Sequence, residues 1–373
     1  MMNQNLKKLQ PSGIRKFSAL AKATPGCVSL TIGEPDLNTP QPILDAAAQA
    51  LAAGRTHYAP NRGTDGLRAA IARFETNRGL PCGPENVLVT IGATGALNTA
   101  LTAVLNPGDE VIIPTPAFSL YESITLAAGA KPVFLELEKT GFQIGENALL
   151  ACITPKTRAI VINSPCNPTG VVLTKQSLDA VAAAAKKYGL YVLCDNVYMG
   201  LSDPGTPDLS TGYDLGGKLL YCQSFSKPYA MTGWRIGYLI ADAALIEKFV
   251  LLQAAQIAAV PTFVQDAAVT ALQTDITNYQ EIFRKRRAYV SRRLRDMGLS
   301  FPEPKGAFYL FPSIEKFGLG SEDFCTRMIT EGGVAAVPGV YFGCDGRIRV
   351  SGCYSVEELQ TGLDRMERFL NTL

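Results

Sequence analysis

The chain has 373 residues, of which 47% are apolar and 18% charged, enough for a large core with an addition or for two domains. A formal charge of +2 gives no strong field toward nucleic acid or an anionic membrane. No run of about 18 apolar residues offers a membrane span, and MMNQNLKKLQPSGIRKF lacks the apolar centre of a signal peptide, so a cytoplasmic protein is expected.

From about residue 86 short apolar runs alternate with helical patterns. NVLVTIG reads as a strand and ALNTALTAVL as the helix after it. EVIIPTP, KPVFLEL, RAIVIN, LYVLCD, KLLYCQ and RIGYLIA are further strands, with helices such as KQSLDAVAAAAKKYG between several of them. This alternation predicts an α/β fold with a mainly parallel, doubly wound sheet. Residues 265 to 300 read as helical and arginine-rich. GAFYLFPSI, GVAAVPG and RIRVSGC follow as short strands, and VEELQTGLDRMERFL as a last helix. A smaller α+β domain is expected there. The predicted division gives residues 46–264 to the large domain, and 1–45 with 265–373 to the small one.

The nine cysteines show no CxxC pair and no metal-ligand spacing, so reduced thiols and no metal are expected. One histidine, His57, gives little support to a zinc site or a Ser-His-Asp triad. The arginine cluster FRKRRAYVSRRLRD reads as a solvated helix face, and Trp234 as a packing residue.

Ligands of open α/β sheets bind beyond the C-terminal ends of strands. At those ends stand Gly92-Ala93-Thr94-Gly95, Ala117-Phe118, Asn167 in NSPCNPTG, Asp195-Asn196-Val197-Tyr198, and Ser224-Phe225-Ser226-Lys227. The Gly-Ala-Thr-Gly turn offers backbone N–H groups at a helix start, which favours an anion. Neither GxGxxG nor GxxxxGK[ST] occurs, so dinucleotide and P-loop readings lose ground. Ser224, Ser226 and Arg235 complete an anion cup. Asp195, after an apolar strand, suits a protonated ring nitrogen. Asn167 and Tyr198 suit the same ring's oxygen, and Phe118 its face. Lys227, away from bulk water, suits an aldehyde, since a neutral amine forms a Schiff base. Together these groups describe pyridoxal 5′-phosphate.

The motifs LTIGEPD, HYAPNRGTDGLRAAIA, TIGATGAL, NSPCNPTG, CDNVY, SFSKPYAMTGWRIGY, GAFYLFPSI and RIRVSGC are spread through almost the whole chain. In this order they resemble the fold-type I pyridoxal-phosphate enzymes of the class I/II aminotransferase family. The resemblance implies Lys227 as the Schiff-base lysine and proton shuttle, with Asp195 on the pyridinium N–H. Asn167 and Tyr198 would contact the ring oxygen, and Phe118 would stack on the ring. Ala93, Thr94, Ser224, Ser226 and Arg235 would hold the phosphate, and Tyr58 would reach the neighbouring subunit's phosphate in a homodimer. Arg349 would clamp the substrate α-carboxylate, with Gly33 approaching it through its backbone. Asn196 stands where many relatives carry Glu, Cys166 where a non-thiol is common, and Tyr121 where some have His.

The implied reaction is ping-pong amino transfer between an amino acid and a 2-oxo acid, with 2-oxoglutarate and glutamate as one pair. SGIRKFS, LTIGEPD, MTGWRIG and GAFYLFPSI are most similar to the bacterial aminotransferase A group, which implies N-acetyl-diaminopimelate as donor. Aspartate and aromatic aminotransferases share most of these motifs. A cysteine-S-conjugate β-lyase is the alternative within the fold. A cofactor-sensing regulator is disfavoured, because LTIGEPD begins at residue 30 and no DNA-binding module is expected before it.

Overall fold

The computed structural model describes residues 3–373. In chain order the first elements are α1 (Gly13–Ala23), β1 (Val28–Ser29), α2 (Gln41–Ala52) and α3 (Asp65–Asn77). The alternating part runs β2 (Val87–Thr90), α4 (Gly92–Val104), β3 (Glu110–Thr115), α5 (Leu120–Ala127), β4 (Lys131–Glu136), α6 (Glu146–Ala151), β5 (Thr157–Asn163), α7 (Lys175–Tyr188), β6 (Tyr191–Asp195), β7 (Leu219–Ser224) and β8 (Gly237–Ile240). Then come α8 (Ala243–Ile257), α9 (Thr262–Ala271), α10 (Thr277–Asp296), β9 (Tyr309–Leu310), α11 (Ser321–Thr330), β10 (Val334–Ala335), β11 (Val337–Pro338), β12 (Ile348–Ser351) and α12 (Val356–Leu370).

The main sheet has seven strands in the order β2-β8-β7-β6-β5-β3-β4. Only β8 runs antiparallel to its neighbours; the other pairings are parallel. This reversal matters for the site. It brings the N-terminal end of β8, and Arg235 just before it, to the edge where the other strands finish. Strand residues alternate between two apolar layers. Val87, Ile112, Ile160, Val192 and Tyr221 face one layer, and Leu88, Val111, Val161, Leu193 and Leu220 the other. Burial on both faces explains why these strands read as unbroken apolar runs.

Helix ends follow local chemistry. Thr174 caps α7 by accepting from the Ser177 N–H, and Gly189 ends it in the left-handed region. Ser355 and Glu358 form a reciprocal capping box on α12. Leu359, Leu363, Met366 and Leu370 recur at helical spacing along α12 and are buried.

A second apolar core joins α1, α10, α11 and α12 through Phe17, Leu294, Phe324, Met328 and Leu363. Its strands form a parallel pair, β1-β10, and an antiparallel three-stranded sheet, β11-β12-β9. The expected division points, 45/46 and 264/265, fall inside α2 and α9. Ile43 and Ala47 of α2, with Val264 and Ala267 of α9, lie in the core on the main sheet. We propose the division outside these helices, before Gln41 and after Ala271.

The arginine-rich α10 departs from a solvated face. Arg286 and Arg287 are buried. Arg286 holds Asp36 through two parallel bonds, and Arg287 pairs with Asp203. Buried guanidinium groups need such partners, and these pairs tie α10 to the GEPD segment and to the loop after β6. All nine cysteines are free thiols. Among the described residues no group of metal-ligating side chains assembles, and no helix is long and apolar enough to cross a membrane.

Candidate active site

The ends of β2, β3, β5, β6 and β7 surround a cavity of about 250 Å³. It is lined by Gly33, Ala93, Thr94, Phe118, Asn167, Asp195, Tyr198, Ser224, Ser226, Lys227, Arg235 and Arg349. Of the sequence-predicted site residues, Tyr58 alone lies outside it; its side chain is 96% exposed. Register explains the convergence: Asn163 pairs with Asp195, Asp195 with Cys222, and Ser224 with Gly237.

Asp195 ends β6 and is buried. Its Oδ2 accepts from the Tyr121 hydroxyl at 2.6 Å and its Oδ1 from the Val197 N–H at 3.4 Å. Among the described residues no cation pairs with it, and burial pushes its carboxyl up to about 6, against the pull of the Tyr121 and Val197 hydrogen bonds. Such a group calls for a cationic partner facing the cavity.

Lys227 follows the cup-forming loop and points its Nζ at Gly33 O, 2.5 Å away. Burial lowers its amine to about 8; Cys353 and Glu34 oppose this, and Arg349 and Arg235 add to it. A site that lowers a lysine this far prepares a nucleophile.

Ser224, Ser226, Ala93, Thr94 and Arg235 form a concave group at one end. The Ser224 hydroxyl donates to Ser226 Oγ at 2.8 Å and takes the Ser226 N–H at 3.1 Å. Gly92 opens α4 with φ +67, and a side chain there would meet the Arg235 guanidinium at 2.8 Å. Arg235 itself holds a left-handed backbone, φ 55. That conformation costs on the order of 1 kcal/mol for a non-glycine residue and tends to mark functional loops.

At the other end Arg349 is buried. It donates to Asn167 Oδ1 at 2.8 Å and to Thr31 O. Its Nε is buried without a partner, which leaves a donor for an incoming carboxylate. Tyr309 lies under the guanidinium at 4.4 Å and shares a 3.0 Å hydrogen bond with Tyr198.

This donor set fits pyridoxal phosphate: an uncompensated buried acid, an enclosed amine, an anion cup at a helix start and an orphaned guanidinium N–H. The family model for aminotransferase class I and II matches residues 25–366. The chain belongs to the class I and II aminotransferases. Like the rest of that family, this aminotransferase is a pyridoxal-phosphate enzyme that exchanges amino groups between amino acids and 2-oxo acids.

It is 38% identical to aromatic-amino-acid aminotransferase 2 of Thermococcus litoralis, over 99% of this chain and 98% of the relative. It is 36% identical to a Bacillus subtilis protein named probable N-acetyl-LL-diaminopimelate aminotransferase, over 99% and 96%. The aspartate aminotransferase from Thermus thermophilus, solved with maleate, superposes with a TM-score of 0.94 at 32% identity, covering 99% of both chains. The aminotransferase thus has the fold-type I architecture expected from its motifs.

Three residues around the site carry roles the motifs did not assign. Asn163 donates to Asp195 O at 2.9 Å and takes the Asn167 N–H at 2.8 Å, so it joins the ends of β5 and β6. Tyr309 was legible only as part of the GAFYLFPSI strand, and Ile14 only as part of the SGIRKFS motif; both line the cavity. Cys166 instead lines a smaller adjoining cavity that shares Tyr121 and Asn163 with this one. Burial pushes its thiol up to about 11, so it is a neutral packing group. Asn196 donates to Asp208 Oδ1 at 2.9 Å, turned away from the cofactor cavity.

Proposed function

We propose that this aminotransferase takes the amino group of a long donor bearing a distal carboxylate, with N-acetyl-diaminopimelate as the leading candidate and 2-oxoglutarate as acceptor. The observation that supports this is a groove of about 580 Å³ that meets the cofactor cavity at Phe118. Its walls include Lys8, Lys16, Glu122, Glu136 and Tyr341. A donor held by Arg349 at its α-carboxylate would extend past Phe118 into this groove. Lys8 suits a far carboxylate, Lys16 being paired with Glu322, and the glutamates suit an amide N–H. A second reading, an aromatic donor, draws on the apolar walls supplied by Leu9, Tyr341 and Phe342.

In this reading Asp195 holds the ring nitrogen, Asn167 and Tyr198 the ring oxygen, and Phe118 the ring face. Ala93, Thr94, Ser224, Ser226 and Arg235 hold the phosphate. The cofactor supplies an aldehyde that takes up the amino group and a ring that draws electrons from the donor. Arg349 fixes the donor's α-carboxylate, with Gly33 beside it. Lys227, whose enclosure lowers its amine to about 8 and so raises its neutral fraction, takes the proton from the donor's Cα. Each turnover then divides into two half-reactions, one per amino or oxo acid.

A homodimer is part of the proposal. The exposed Tyr58 has no role within its own chain's cavity. On α8, Leu251 is 66% exposed, and Leu245, Leu252, Ala254 and Ile257 are only partly covered. The exposed Leu251, with Ala254 one turn on, suits contact with a second copy.

The test is a donor panel with 2-oxoglutarate. Glutamate formed fastest from N-acetyl-diaminopimelate supports the reading; fastest turnover of phenylalanine or tyrosine selects the aromatic one. Pyruvate and ammonia released from cystathionine, without glutamate, would select the β-lyase.

A further inference from the structure

Behind the cup lies a buried carboxylate that the chemistry above does not use. Glu75, on α3, is 1% exposed. Its Oε1 accepts from the Tyr221 hydroxyl at 3.1 Å and from the Tyr238 hydroxyl. Its Oε2 takes Arg78 Nη1 at 3.2 Å. The chain of bonds continues toward the cup. Gln223 Nε2 donates to the Tyr221 hydroxyl at 3.3 Å, and Gln223 Oε1 accepts the Ser224 N–H at 2.9 Å.

A buried ion pair is weak evidence for stability by itself, because apolar residues of similar size often serve as well. Position gives this one a consequence. Tyr221 and Gln223 are on β7, whose last residue is Ser224. Tyr238 is on β8, opposite Gln223 and one residue after Gly237, the partner of both Ser224 and Thr90. One carboxylate therefore grips the two strands that deliver Ser224 and Arg235. The Ser224 N–H is committed to Gln223, which sets where the chain turns into Ser226.

We infer that Glu75 is a positioning residue for the phosphate cup, acting through Tyr221, Gln223 and Tyr238 on the ends of β7 and β8. The inference rests on the phosphate assignment proposed above. It makes the Glu75 network matter to the phosphate end of the cofactor and not to the ring end, where Asp195 ends β6 and Asn167 follows β5.

The experiment compares equilibrium binding of pyridoxal 5′-phosphate and pyridoxal, read by quenching of Trp234, the chain's single tryptophan, next to Arg235. Tyr221→Phe removes only the relaying hydroxyl, and Glu75→Gln keeps the shape and removes the charge. Thermal unfolding reports that each variant is folded. Both variants should bind the phosphorylated ligand about tenfold more weakly, as for one lost hydrogen bond in a buried network, with pyridoxal affinity unchanged. Equal weakening for both ligands, or none for either, overturns the inference. If the unaltered protein binds the two ligands equally, the phosphate assignment fails, and the inference with it.

Discussion

Tyr121 donates its phenolic hydrogen to Asp195 Oδ2 across 2.6 Å, with both side chains buried. This is a neutral support for an acid that has no cation of its own. The hydrogen bond favours the carboxylate form, and burial opposes it. Tyr121→Phe should therefore move Asp195 further up. Activity should fall about tenfold, as for a lost hydrogen bond to a charged group, and the acid limb of the pH profile should move to higher pH. A pH profile of kcat/KM checks both; an unmoved acid limb would contradict the role given to Tyr121.

The same acid makes cofactor-free protein sensitive to pH. Asp195 lies near 6 when folded, against about 3.9 for an ordinary Asp. Its stabilising contribution is fully present below the unfolded value and is lost as pH rises through 6. The loss is on the order of 3 kcal/mol. Asp195→Asn should remove this dependence, so the cofactor-free variant should be more stable than the unaltered protein at pH 7. Its turnover should drop about a hundred- to a thousandfold, as when one preorganised electrostatic partner is removed. Urea melts at pH 4 and pH 7, set beside kcat, measure the two effects.

Lys227 titrates near 8 in the cofactor-free protein, where a free lysine titrates at about 10.4. An amine-directed reagent should label Lys227 with half-maximal rate near pH 8, and the surface lysines only at higher pH. Peptide mapping after timed labelling reads this directly. Labelling of Lys227 with the ordinary lysine profile would count against its enclosure.

Gly33 is a position of close approach. A Cβ there would stand 1.7 Å from Tyr309 Oη, while Gly33 O takes the Lys227 amine. Gly33→Ala must displace Tyr309 or the backbone that faces Lys227. A misplacement of about 1 Å near reacting groups costs on the order of a hundredfold. Combining Gly33→Ala with Tyr309→Phe, which removes the clashing oxygen, should recover part of the loss. Steady-state kinetics of the single and double variants test this, and a double variant no better than Gly33→Ala would place the damage elsewhere.

Much of this site was legible because α/β strands are buried on both faces and so stand out as apolar runs. The polar residues that follow each run then mark a strand end: Asp195, Ser224 and Asn167 were singled out that way. The arginine helix misled because sequence shows charge and not partners. Arg286 and Arg287 are buried against Asp36 and Asp203, which are far away in sequence. The strands near the C-terminus are mostly two residues long, too short for periodicity to signal, yet the glycines and prolines bounding GAFYLFPSI and GVAAVPG marked them. Tyr309 and Asn163 escaped for a related reason: each acts through a neighbour, Tyr198 or Asp195, and nothing in local sequence encodes that neighbour. The expected division at 45/46 and 264/265 could not register that α2 packs on α9.

The Asn196 amide, 2.9 Å from Asp208 Oδ1, gives a stability prediction independent of the cofactor. Asn196→Asp would set two carboxylates against each other in a part-buried site. A cost of about 1–3 kcal/mol is expected from the unsatisfied, like-charged pair. That cost should shrink at pH 4, where one carboxylate takes a proton. Denaturant melts of this variant at the two pH values check both sign and size.

In the reading proposed above, the ε-amine of Lys227 takes hold of the cofactor's aldehyde. Borohydride reduction of the loaded enzyme, followed by peptide mass mapping, tests it in one step. A pyridoxyl phosphate mass is expected on the peptide carrying Lys227, and neither that mass nor turnover in Lys227→Ala. A label fixed on a different lysine, or full turnover without Lys227, would contradict it.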